Sequence, residues 1–229
     1  MHLHQGIHFH FQNACNSYFC WGYVRSNAHQ ILSATAEHVT LALSAIILGF
    51  VLAVPMAVFA RRGIKARGSV FTLASALYAV PSLAFVVAVY GIFGLHAITV
   101  IIPLACYSLV ILVRNILTGL DEVPAEAVDA ATGMGMGPAR LFWKVRLPLA
   151  MPAIVAGLRL ATVSTIELVV IGGYVGLGGY GKYLFDGLNR QYKPEVMTYL
   201  ILTILLALVA DLLILVLARP FTRWRRVAA

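Results

Sequence analysis

The stretch "VMTYLILTILLALVADLLILVLA", residues 196–218, contains one charged side chain, Asp211. About 20 consecutive apolar residues is the length a helix needs to cross the hydrocarbon core of a bilayer. Similar runs recur at about 37–60, 70–93, 97–117 and 149–171. Lipid offers the backbone no hydrogen-bond partner, so only helices and closed barrels span it. The runs are continuously apolar and do not alternate, which favours a helical bundle over a barrel. The fold class that follows is an all-α polytopic membrane protein with about five transmembrane helices. The 11% of charged residues agrees, since a soluble domain carries about 25%.

The net charge of +8 does not point to nucleic acid. The basic residues gather at the ends of apolar runs, as Arg61, Arg62, Lys65 and Arg67, then Arg140, Lys144 and Arg146, then Arg219, Arg223, Arg225 and Arg226. Five spans place all three groups on one side, and the positive-inside bias makes that side cytoplasmic. The N-terminus is then expected outside and the C-terminus inside. Residues 1–35 differ in composition, with five histidines and two cysteines. Their spacing fits no zinc motif, and the expectation is a flexible extension or residues upstream of the true start. Residues 36–220 form the transmembrane domain and 221–229 a basic cytoplasmic tail. Pro55 and Pro81 are expected to kink the first and second spans.

One segment resists burial in lipid. "DAATGMGMGPARLFWKVRLPLAMP", residues 129–152, holds three glycines, three prolines and three basic residues. It belongs to the polar stretch 121–148, expected in the cytoplasm. Pro124 suits the first turn of a short helix with Glu126 and Asp129 early in it. Gly133, Gly135 and Gly137 end that helix. Pro138 starts a second, with an apolar stripe of Leu141, Phe142 and Val145, and Pro148 closes it. The product is a helix–turn–helix suited to a groove on a partner protein.

The same segment resembles the EAA signature of ABC-importer permeases: Glu-Ala-Ala, three residues, Gly, nine residues, Ile, any residue, Leu-Pro. Here it reads Asp129-Ala130-Ala131, Gly135, Val145 and Leu147-Pro148, with every spacing kept and with Asp and Val replacing Glu and Ile. The resemblance covers about residues 36–220. "VPSLAF" (80–85), "RNILTGL" (114–120), "AGLRLATV" (156–163) and "GLGGYG" (176–181) look like the permeases for glycine betaine, carnitine and choline. It implies the type I ABC-importer permease fold and a bacterial inner-membrane location. It also implies a non-enzymatic subunit that binds no cofactor or metal. Its coupling segment, with Phe142, would sit in a groove of cytoplasmic ATPase subunits. An extracytoplasmic binding protein and a second permease copy, identical or paralogous, would complete the importer. Related methionine and sulfonate permeases share much of the pattern and stay open as alternatives. A stand-alone ion-coupled transporter would leave the coupling segment without purpose, and a membrane-embedded enzyme needs clustered catalytic groups, whereas His96 stands alone in a short outer turn.

"GLGGYGKY" (176–183) nearly matches G-x-G-x-x-G and G-x-x-x-x-G-K. It lacks the following Ser or Thr and the preceding strand that give those motifs their chemistry. A tight turn near the outer mouth is expected instead. Arg159, Glu167 and Asp211 lie in or near lipid, where a charge must face protein or water. Glu167 is a candidate for lining the path, together with Pro81, Ser82 and Tyr174; Arg159 and Asp211 read as structural. Tyr174, Tyr180, Tyr183 and Tyr192 supply the aromatic faces a quaternary-ammonium cage needs, although tyrosine is common at membrane interfaces.

Overall fold

The computed structural model describes residues 18–222, with the side chains of 221 and 222 excepted. The histidines at 2, 4, 8 and 10, Cys15 and the basic tail beyond 222 lie outside the described residues. Among those described, every regular element is helical. They are α1 (Trp21–Ser26), α2 (Ala28–Ala60), α3 (Ile64–Ala79), α4 (Ser82–Phe93), α5 (Ile98–Asp121), α6 (Ala125–Gly133), α7 (Pro138–Leu141), α8 (Leu147–Val169), α9 (Tyr180–Asn189) and α10 (Lys193–Thr222). A π turn, Phe142–Arg146, joins α7 to α8, and a 3₁₀ segment, Val170–Val175, continues α8.

Four helical stretches are long and apolar enough to cross a membrane, and a fifth is added if α3 and α4 count as one broken span. The first starts at Ala28, so the boundary expected at residue 35 falls inside α2. Its 33 residues measure about 50 Å at 1.5 Å per residue, well beyond a core of about 30 Å. The prolines behave differently from one another. Pro55 stays inside α2 without ending it. Before Pro81, Val80 takes an extended conformation (φ −66°, ψ 128°) and the helix breaks, as the steric conflict between a proline ring and its predecessor favours. The Tyr107 hydroxyl donates to the Val80 carbonyl, satisfying an acceptor that the break leaves free. Pro148 does not close a short helix: the chain continues from Pro138 into the fourth span. The π turn brings the Leu147 N–H to the Phe142 carbonyl, and this wider turn immediately before Pro148 accommodates a residue with no N–H to donate.

The chain forms two compact units. The first takes the described part of Met1–Ala45 with Pro81–Leu104 and Thr165–Leu208; the second takes Ile46–Val80, Ala105–Ser164 and the described part of Val209–Ala229. The second has a core of small and branched residues, including Ala53, Ala57, Leu112, Val113, Leu117 and Ala150. Its helices approach at glycines. A Cβ on Gly119 would lie 2.8 Å from the Ala150 carbonyl oxygen, and one on Gly157 would lie 2.3 Å from the Asn115 Cβ. Such contacts are how membrane helices gain van der Waals contact without a hydrophobic drive. In the first unit Ala34, Tyr180 and Tyr199 are buried together, with Tyr183 stacked on Tyr199 at 5.0 Å.

Candidate functional site

The polar segment between the third and fourth spans is built around a helix end. In α6 the carbonyls of Ala131 and Thr132 have no partner within the helix. The Met136 N–H reaches Ala131 at 3.2 Å and the Gly135 N–H reaches Thr132 at 2.9 Å. This pair of bonds is the Schellman termination, which needs a left-handed residue at its turn. Gly135 supplies it with φ +78°. The spacing from Ala131 to Gly135 is therefore the spacing of that cap. Ala131 is buried while Asp129, Ala130 and Gly135 are exposed.

Beyond the turn the apolar stripe divides. Leu141 is buried, and Phe142 packs against the core of its own unit. Trp143 stands edge-on to Phe142 at 5.4 Å and is 66% exposed; Met134 is 71% exposed. Val145, Leu147 and Pro148 are half-buried. The outward knob of this segment is thus Trp143 with Met134, and Phe142 faces inward. Sequence spacing cannot tell a stripe that meets a partner from one that meets the chain itself.

The glycine loop after α8 is held by α2. Gly178, with φ +106°, donates its N–H to Glu37 Oε1 at 3.2 Å. His38, fully buried, contacts the Ile166 carbonyl through Nε2 at 2.9 Å and the Tyr180 N–H through Nδ1 at 3.4 Å. A carbonyl only accepts, so Nε2 carries the proton and Nδ1 accepts. The Tyr180 hydroxyl donates to Thr35 Oγ1 at 2.9 Å. Cβ atoms on Gly173 and Gly181 would fall 2.1 Å from backbone atoms of Gly181 and Val170. Two of the N–H groups a phosphate would need are already engaged by side chains, which explains the glycines without any nucleotide. Sequence reading missed Glu37 and His38. They sit at the head of an apolar run, and only tertiary contact joins them to a loop some 140 residues away.

The tyrosines do not converge on a cage. Tyr180 is a core residue, Tyr183 stacks on Tyr199, and Tyr192 meets Tyr23 edge-on at 5.6 Å. Tyr174 is exposed beside Phe185. Burial pushes the phenols of Tyr23, Tyr180 and Tyr192 above their ordinary values, Tyr23 furthest, with Glu195 and Tyr199 adding to the effect there. Nearby, Arg190 Nη2 pairs with the buried Glu195 at 2.8 Å.

Arg159 and Asp211 form a two-bond ion pair at 2.7 and 2.8 Å. Glu167 is exposed on α8 and makes no hydrogen bond or ion pair with another described residue. Pro81 is exposed at the break before α4 and Ser82 is half-buried. Among the described residues no group of three or more His, Cys, Asp or Glu could hold a metal.

Four spans, or five with the broken pair, define the class: a polytopic α-helical membrane protein. More narrowly, the chain belongs to the family of binding-protein-dependent transport system inner membrane components, whose model matches residues 39–227. It is a permease subunit of an ABC importer, a membership that implies ATPase and binding-protein partners. It is 34% identical over 201 residues to the choline transport system permease protein OpuBB of Bacillus subtilis (strain 168), covering 87% of this chain and 92% of that one. It is 34% identical over 175 residues to the carnitine transport permease protein OpuCB of Listeria monocytogenes, covering 76% and 80%. Its fold is similar to that of the MetNI methionine ABC transporter in an inward-facing conformation, with a TM-score of 0.75 at 22% identity over 86% of this chain and 98% of that one. An amino acid ABC transporter gives 0.72 at 16% identity over 88% and 98%.

Proposed function

We propose that this permease subunit forms the translocation path for a small osmoprotectant-like solute, a quaternary ammonium compound or a close relative. The observation that carries the reading is the agreement among its relatives. Permeases named for choline, carnitine and glycine betaine match most of their own length at 30–34% identity. The likeness to the methionine transporter is one of fold, and does not favour methionine.

In this reading a binding protein delivers the solute outside, and two permease copies, identical or paralogous, line the path. ATP is hydrolysed on separate cytoplasmic subunits, and this chain binds no cofactor. The capped hairpin at 121–148 carries the ATPase cycle to the spans through Asp129, Ala130, Ala131, Gly135, Val145, Leu147 and Pro148. Phe142 supports Trp143 from the inside. The N-terminus lies outside and the C-terminus in the cytoplasm, supported by the basic residues at 61–67, 140–146 and 219 onward. Glu167, Pro81, Ser82 and Tyr174 line the path. The unpaired carboxylate on a span supports this role for Glu167, because a charge there needs protein or water to face.

The test is ATP-dependent uptake by the permease reconstituted with its neighbouring ATPase and binding protein. Labelled glycine betaine, carnitine and choline are compared with methionine and an alkyl sulfonate. Uptake of at least one of the first three is expected, and Glu167→Gln should lower it without loss of ATPase co-purification. Uptake of methionine or the sulfonate alone would overturn the substrate class. Labelling of cysteines introduced at residues 65 and 187 tests the orientation, and labelling of residue 65 from outside only would reverse it.

A further inference from the structure

Arg114 is a charged group of the second unit that pairs with none of the described carboxylates. It sits on α5 seven residues before Asp121, about 10 Å from that end of the helix. A guanidinium stays charged at any accessible pH, and inside a span it must face a partner, water or a cavity. Two other arginines of the same unit have carboxylate partners. Arg67 pairs with Asp121 at 2.7 Å and Arg159 with Asp211 at 2.7 Å. Arg114 makes no hydrogen bond or ion pair with another described residue. It lines a cavity of about 340 Å³ together with Asn115, Ser75 and Tyr78. That volume is at the lower end of the range of small-molecule sites.

The walls of this cavity are held in place. Asn115 donates from Nδ2 to the Ile111 carbonyl at 2.8 Å, which leaves its Oδ1 and one N–H uncommitted. Gly157 lets α8 close on the Asn115 side chain. Tyr78 is 53% exposed and meets Tyr107 edge-on at 5.6 Å, and Tyr107 is itself tied to the Val80 carbonyl. The cavity thus offers an unpaired guanidinium, further polar groups and a supported aromatic ring.

We propose that this cavity is a solute site in which Arg114 binds a carboxylate and Tyr78 contacts the quaternary ammonium group, so that it takes zwitterionic ammonium carboxylates in preference to carboxylate-free choline. The proposal rests on the osmoprotectant reading and goes beyond it by naming the solute charge pattern and the residues that read it. A guanidinium matches a carboxylate with two parallel hydrogen bonds. An ammonium is attracted to the negative face of a tyrosine ring. Choline offers only the second contact. An anionic lipid phosphate is the other source of an oxyanion for Arg114, and the experiment separates the two.

The experiment uses the complete importer in lipid vesicles. Uptake of labelled glycine betaine, carnitine and choline is measured for the wild type, Arg114→Gln, Arg114→Lys and Tyr78→Leu, with basal ATP hydrolysis as the control for assembly. Arg114→Gln is expected to lower the ratio of glycine betaine to choline uptake about tenfold, the scale of one charge-assisted hydrogen bond. Arg114→Lys should fall between it and the wild type, and Tyr78→Leu should lower uptake of all three. A ratio within about twofold of wild type in Arg114→Gln, inside the scatter of a surface substitution, overturns the site. If Arg114→Gln instead lowers uptake of all three solutes equally, and that loss vanishes in vesicles without anionic lipid, Arg114 holds an anionic lipid headgroup and the site is overturned. A wild-type importer that moves none of the three solutes overturns the osmoprotectant reading and the site with it.

Discussion

Replacing Gly135 probes the capped hairpin most directly, because its surroundings separate two causes of damage that usually coincide. A Cβ built there meets nothing within 4 Å, so the first side-chain carbon is not blocked inside this chain. The backbone is the constraint. At φ +78° an L-residue loses roughly 1–2 kcal/mol to contact between its Cβ and the following carbonyl. Asn loses less, since its short polar side chain tolerates this region, and a β-branched residue loses most. About 1.4 kcal/mol is a tenfold change in population, so Gly135→Ala should lower the capped form relative to uncapped alternatives by roughly tenfold. Gly135→Val should lower it further, and Gly135→Asn only slightly. Uncapping frees the Ala131 and Thr132 carbonyls and lets α7 turn away from α6, which displaces Trp143. The assay is co-purification of the ATPase together with substrate-stimulated ATP hydrolysis, with membrane insertion as a control. The expected order of activity is Gly, Asn, Ala, Val. Asn is larger than Ala, so an order that follows side-chain volume would refute backbone strain and indicate direct contact with the partner. Equal activity in all four would refute the coupling role itself.

Gly173→Ala should destabilise the folded subunit by about 1–3 kcal/mol or more, because its Cβ would fall 2.1 Å from the Gly181 backbone. Gly91→Ala should do far less, since a Cβ there meets nothing within 4 Å and its φ is not left-handed; thermal denaturation in detergent compares the two, and equal losses would remove the steric account. His38→Ala should lower stability by about 1–3 kcal/mol, since it leaves the Ile166 carbonyl and Tyr180 N–H without their partner, whereas Glu37→Gln should be near neutral because an amide oxygen still accepts from Gly178. Arg159→Met should destabilise by stranding Asp211, and the double variant Arg159→Met/Asp211→Leu should recover part of the loss in the same assay; no recovery would mean that the pair contributes net stability.

The apolar runs determined by themselves that this chain is a helical membrane protein, because run length and continuity are set by bilayer thickness and by the need to pair every backbone group internally. The Asp129 to Pro148 spacing matches the family's signature, and the structure gives part of that spacing a cause, since Ala131 and Gly135 belong to one helix cap. Local geometry of this kind is legible in sequence because its partners are near neighbours in the chain. What sequence left open was decided by contacts between distant residues. The same apolar pattern served a partner-facing and a core-facing Phe142 equally well, and only the fold turned it inward. Pro55 and Pro81 carry the same ring, yet only Pro81 breaks its helix, where Tyr107 from another span meets the freed carbonyl. Arg159 and Arg114 are both arginines on apolar helices. One finds Asp211 and the other a cavity, a difference of tertiary position, because the role of a charge on a span is defined by what stands opposite it.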